Sequence, residues 1–139
     1  SQLRQSATTL YFLAELFKTQ SNPDILILAA QFGIRHRGES VRLSRDIFAD
    51  NEFGLGAFYV GTMILTHPER FPKDDCFDHS DLSVYCAGDE YRLVNDGNSF
   101  FRVPFFSLGN GKINFGTHII HDYDDFRGSV SGFLTKWRA

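Results

Sequence analysis

The segment His118-Ile-Ile-His121-Asp122 joins the residue types that a transition metal wants, two imidazoles and a carboxylate. On a helix, the two histidines would share a face. The surrounding residues read as the end of a strand, where a spacing of three points them to opposite sides. That geometry favours ordinary structural histidines, and no metal is assigned. His118 with Asp122 is kept as a weak catalytic candidate, a His-Asp general base. The run Asp74-Asp75-Cys76-Phe77-Asp78-His79-Ser80-Asp81 is rich in oxygen ligands. It lacks the sharp-turn glycine and the closing glutamate of a calcium loop, so it reads as a solvated acidic loop. Cys76 near His79 is a thiol-imidazole pairing in form, but three-residue spacing within a loop gives it little support.

The glycine-rich stretches fit no cofactor. Gly54-Leu55-Gly56 with Gly61 misplaces the third glycine of a dinucleotide fingerprint. Gly109-Asn110-Gly111-Lys112 lacks the helix that would present N–H groups to a phosphate. Gly128-Ser129-Val130-Ser131-Gly132 puts valine where a nucleophile elbow needs serine. No cofactor is therefore expected.

Composition narrows the field further. The 139 residues are 42% hydrophobic and 22% charged with a net charge of -3, which excludes a disordered chain and points to one domain over residues 1–139. The mild acidity argues against nucleic acid as a partner, since nonspecific binding runs on excess Lys and Arg. Arg35, His36, Arg37, Arg42 and Arg45 form a basic stretch set against the acidic loop and Asp122, Asp124 and Asp125, a segregation that suits either a solvated surface or partner steering. The polar N-terminus SQLRQSATTL reads as no signal peptide, and the charge-free stretch Gly54 to Thr66 is too short to span a bilayer. A soluble cytoplasmic protein without membrane contact is expected, with Cys76 and Cys86 as reduced, packed thiols; a disulfide between them is the alternative.

The elements that must position these residues follow from periodicity. Gln5 to Gln20 reads as a helix with Leu10, Leu13, Ala14 and Phe17 on one face, and Phe12 and Leu16 widen the stripe, which predicts burial on more than one side. Ser21-Asn22-Pro23-Asp24 predicts a restart, and Ile25 to Phe32 a second helix, giving an N-terminal helical hairpin. Between Ile34 and Asp50, two short strands around Gly38 compete with a short helix capped by Ser44. Ala57 to Thr66 is a buried strand or a buried helix, which periodicity does not decide. Leu82 to Ile120 reads as antiparallel strands with turns at Gly88-Asp89, Asn95-Asp96-Gly97-Asn98 and Gly109-Asn110-Gly111. Phe126, Val130, Phe133, Leu134 and Trp137 predict a closing C-terminal helix. The expected fold class is α+β, with the helical hairpin and the C-terminal helix packed on a curved, mainly antiparallel sheet.

Fifteen phenylalanines are more than a core of this size needs. The excess concentrates at Phe100 to Phe106. There Phe101, Val103 and Phe105 share one side of a strand, while Phe100, Arg102, Pro104 and Phe106 share the other. The question is what covers its second face: a partner, a ligand or another layer of the same chain. With no catalytic signature, the leading expectation is a non-catalytic binding or interaction module, homodimeric, using the aromatic sheet face. Its interface or ligand residues would be Phe101, Arg102, Phe105, Phe106, Tyr59 and Tyr91, with itself or another protein as partner. The alternative is a pocket for a small apolar ligand, or a small enzyme, with His118 and Asp122 as the base in an aromatic-lined cavity.

Overall fold

The computed structural model describes residues 1–21, 24–71, 82–109 and 111–135. Serine caps start two of its helices. Ser6 accepts a hydrogen bond from the Thr9 N–H (3.2 Å) and starts α1 (Ala7–Thr19). Ser40 accepts from the Leu43 N–H (3.1 Å) and starts α2 (Val41–Ile47). The helix near residue 44 therefore begins four residues earlier than a Ser44 cap would place it. Ser44 instead turns its hydroxyl back to the Ser40 carbonyl. Ala57–Thr66 is a helix, α3, which settles the ambiguity the sequence left there.

Among the described residues nine strands accompany them: β1 (Gln2–Gln5), β2 (Ala29–Gln31), β3 (Glu52–Gly54), β4 (Leu82–Tyr85), β5 (Asp89–Arg92), β6 (Arg102–Gly109), β7 (Lys112–Ile119), β8 (Arg127–Ser129) and β9 (Ser131–Phe133). A six-stranded sheet runs β1-β5-β6-β4-β8, with β7 on the other edge of β6. β4 and β5 lie end to end along β6, because the chain bends at residues 86–88. All its pairs are antiparallel except β4 with β8. β6 and β7 form the predicted hairpin, Gly109 facing Lys112; Asn110 of its turn lies outside the described residues. A second sheet runs β2-β9-β3. The class is α+β with a curled, mainly antiparallel sheet.

Two helical expectations give way to strands. Residues 25–28 form no helix and lead into β2, so no N-terminal helical hairpin forms. The reason is a period of two: Leu26 and Leu28 pack on the core while Ile25 and Ile27 face solvent. The Gln20 side chain clamps both the N–H and the C=O of Ile27, taking groups that a helix would use internally. Asn22 and Pro23 lie outside the described residues. In place of a C-terminal helix, the chain makes β8 and β9. A Cβ on Gly128 would overlap the Gly33 carbonyl oxygen, so glycine here serves a close backbone crossing. The helical spacing from Phe126 to Leu134 is coincidental, and Trp137 lies outside the described residues.

The large sheet is covered on both faces by the chain itself. On one side α1 and α3 pack a core that includes Leu13, Val60, Ile64, Phe53 and Val84. On the other side Val41 of α2 joins Tyr85, Ala87 and Val103, with Phe105 and Ile120 packed against them. α1 buries only part of the predicted stripe: Leu13 and Leu16 are buried and Phe12 packs on the core, but Leu10 and Phe17 point outward. Thr9 takes the inward place because its hydroxyl donates to the Gly54 carbonyl (2.9 Å). Cys86 is a free, buried thiol whose pKa burial pushes well up. Cys76, His79 and the acidic loop lie outside the described residues.

Candidate interaction surface

α3 has the sequence AFYVGTMILT, without one charged side chain. Its start is fixed from outside. Gly56 offers no side-chain cap, and Asp89 of β5 accepts the Ala57 N–H instead (2.7 Å). Burial pushes the Asp89 carboxyl up, while that hydrogen bond and the Arg45 guanidinium pull it the other way. Val60 and Ile64 then face the core, and Gly61 lies over Phe106 of β6.

The opposite stripe is the unusual one. Phe58 is 78% exposed and Leu65 84% exposed, with Thr62 between them. Thr62 donates its hydroxyl to the Phe58 carbonyl, and Thr66 donates to the Thr62 carbonyl, both at 2.8 Å. The hydroxyls are thus used within the helix. β7 also exposes apolar side chains: Phe115 and Ile113 are exposed, and Phe115 touches Phe106 at 4.9 Å between ring centroids.

The residues singled out from the sequence are spread through the fold. Phe106 packs into the α3-side core and Phe105 into the α2-side cluster, each half-buried. Arg102 donates to Asp96 (2.9 Å) and lies 5.3 Å from the centre of the half-buried Phe101 ring. The second face of the aromatic strand is therefore covered by α2 and its neighbours. Tyr59 sits on α3 against the first core, its phenol pushed up by burial. Tyr91 lies on β5 in register with Leu3 and Arg102. His118 is on β7 with its ring against Tyr85 and Phe105, on the α2 side of the sheet. Its Nε2 lies 3.7 Å from Asp122 Oδ2, too long for a hydrogen bond. The structure thus brings His118 and Asp122 together and leaves Tyr59 on the other side of the sheet. His121 points elsewhere, beside Arg42 (3.3 Å). Among the described residues, no three His, Cys, Asp or Glu converge as metal ligands would.

Phe58 and Leu65 do not stand out in the sequence, because the apolar run Ala57 to Thr66 suggests burial as a strand or as a helix. The spacing 58, 62, 65 is a helical stripe that could have marked them. None of the described helices is long and apolar enough to cross a membrane. No protein-family model, curated protein or solved structure matches the chain.

Proposed function

We propose that this chain is a non-catalytic interaction module that associates with a second copy of itself through the outer stripe of α3. The observation that carries the reading is the exposure of Phe58 and Leu65 on a charge-free helix. Depletion of charge with aromatic enrichment is the signature of an interface core. The stripe is also self-complementary. Phe58 and Leu65 stand seven residues apart, two turns or about 10.5 Å along the axis. Two antiparallel copies crossing on a twofold axis near Thr62 set Phe58 of one against Leu65 of the other.

Sedimentation velocity over a concentration series tests the reading. The wild-type chain dimerises, and Phe58→Asp or Leu65→Asp shifts it to monomer. Each side chain supports the dimer by about 1.5–3 kcal/mol if fully buried there. Both project into solvent in the single chain, so circular dichroism stays unchanged. A wild type that remains monomeric at millimolar concentration refutes self-association. A dimer indifferent to both substitutions refutes the surface.

A further inference from the structure

The bend at residues 86–88 gathers two elements that are distant in sequence. The Gly88 carbonyl accepts from the Ser6 N–H at the head of α1 (2.8 Å). The Ala87 and Asp89 carbonyls accept from Arg45 of α2, Nε at 3.0 Å and Nη2 at 2.9 Å. Beside these contacts lies a cavity of about 200 Å³, lined by residues that include Ser6, Thr8, Arg45, Phe48 and Glu90. It reaches the surface at Thr8, which is exposed.

Arg45 is the feature that calls for a ligand. Burial pulls its pKa down, yet a guanidinium stays charged in a folded protein. Among the described residues no carboxylate comes within ion-pair distance of it; Asp89 and Glu90 act on it from farther away. Glu90 is instead held by Arg4 at 2.8 Å. The two carbonyls leave Arg45 Nη1 without an acceptor among the described residues, and that atom is not sealed in. A guanidinium edge of this kind matches a carboxylate.

The other linings narrow the ligand. The first turn of α1 carries no acidic side chain, and Ser6 takes only the Thr9 N–H there, so nothing in that wall repels an anion. Phe48 and Ala87 give the cavity an apolar side. Asp89 and Glu90 stand close enough to disfavour a second negative charge, as on phosphate. The volume admits a molecule of only a few heavy atoms.

We propose that this cavity binds a small monocarboxylic acid, with its carboxylate on Arg45 and its hydrocarbon part against Phe48. The site lies between α1 and α2 and does not rest on self-association through α3.

Butyrate is the probe, with chloride at equal ionic strength as the control, read by calorimetric titration and by amide chemical shifts. Butyrate binds the wild type and shifts the Ala7 and Thr8 amide resonances. Acetate binds more weakly, by roughly fourfold for each methylene lost, the transfer value of one buried CH₂. Arg45→Gln abolishes binding. Arg45 also holds the bend, so Thr8→Asp carries the test without touching that contact. An acid in the first turn suits the helix dipole and keeps the unfolding temperature at or above that of the wild type. Its charge repels the carboxylate and weakens butyrate binding by roughly tenfold or more. No butyrate binding to the wild type overturns the proposal, as does binding that Thr8→Asp leaves unchanged. Phosphate binding as tight as that of butyrate overturns the carboxylate assignment. Acetate binding as tight as that of butyrate overturns the contact with Phe48.

Discussion

His36 Nε2 lies 2.7 Å from Glu52 Oε1, with the imidazole 4% and the carboxylate 0% exposed. Around this contact nearly every polar atom is used. Ser131 of β9 donates its hydroxyl to Glu52 Oε1 (2.5 Å), and the Ala49 N–H donates to Oε2 (3.1 Å). Gln31 of β2 donates to the Ser131 hydroxyl (2.8 Å) and accepts from the Gly33 N–H (2.7 Å). His36 Nδ1 reaches Glu39 at 3.1 Å. The network ties the segment after β2 to all three strands of the small sheet. Its satisfied state marks a structural fastening.

Breaking that fastening from one side should be costly. Glu52→Gln is expected to lose about 1–3 kcal/mol, the usual penalty for leaving buried hydrogen-bonding groups without their charged partner. Urea denaturation gives the value. His36→Gln, measured singly and with Glu52→Gln, should show a coupling of about 0.5–3 kcal/mol. Strict additivity would mean that the two side chains do not act together.

The same carboxylate sets a pH dependence. Burial alone would push the Glu52 pKa up, but hydrogen bonds from Ser131, His36 and the Ala49 N–H outweigh it and hold the carboxyl below its ordinary value. The folded protein therefore binds this proton less readily than the unfolded chain. The stabilisation is whole above the unfolded pKa of about 4.3 and drains away as pH falls through the lower folded value. Denaturant midpoints collected from neutral to acid pH should show a decline that is shallower in Glu52→Gln. Parallel curves for the two proteins would contradict this assignment.

Asp89 has the opposite sign. Its folded pKa is raised, by burial first, so its ionised form costs stability above that value and the cost is relieved as pH falls. Asp89→Asn keeps an acceptor for the Ala57 N–H and removes the buried charge. Thermal melts at neutral pH should therefore find it at least as stable as the wild type. Gly56→Ala is the complementary change. Its Cβ would overlap the Asp89 carboxylate and push the cap away from α3. The expected loss is about 1–3 kcal/mol, typical of overpacking together with a lost cap. Asp89→Ala in the same background should then cost little more.

Local chemistry was legible where one segment carries the whole signal. The β6–β7 hairpin follows from the glycine-rich turn between two apolar runs, and the α+β class from the order of periodic segments. His118 and Asp122 were also legible as neighbours, being four residues apart at the end of a strand. Other features depended on residues distant in sequence. Ile25 to Leu28 has apolar side chains that suit helix or strand equally, and the Gln20 clamp with the pairing of β2 on β9 selects the strand. Gly128 looks like a weak helix position until the Gly33 backbone arrives against it. Nothing local links Glu52 to Ser131, seventy-nine residues away, or sets Arg127 beside Tyr85. Sequence by itself determined the class, the surplus of phenylalanine and the charge-free run that became α3. Tertiary structure alone decided which face of α3 meets water, what covers the second side of β6 and which buried polar groups find partners. Burial and hydrogen-bond satisfaction depend on elements that meet only when the chain has folded.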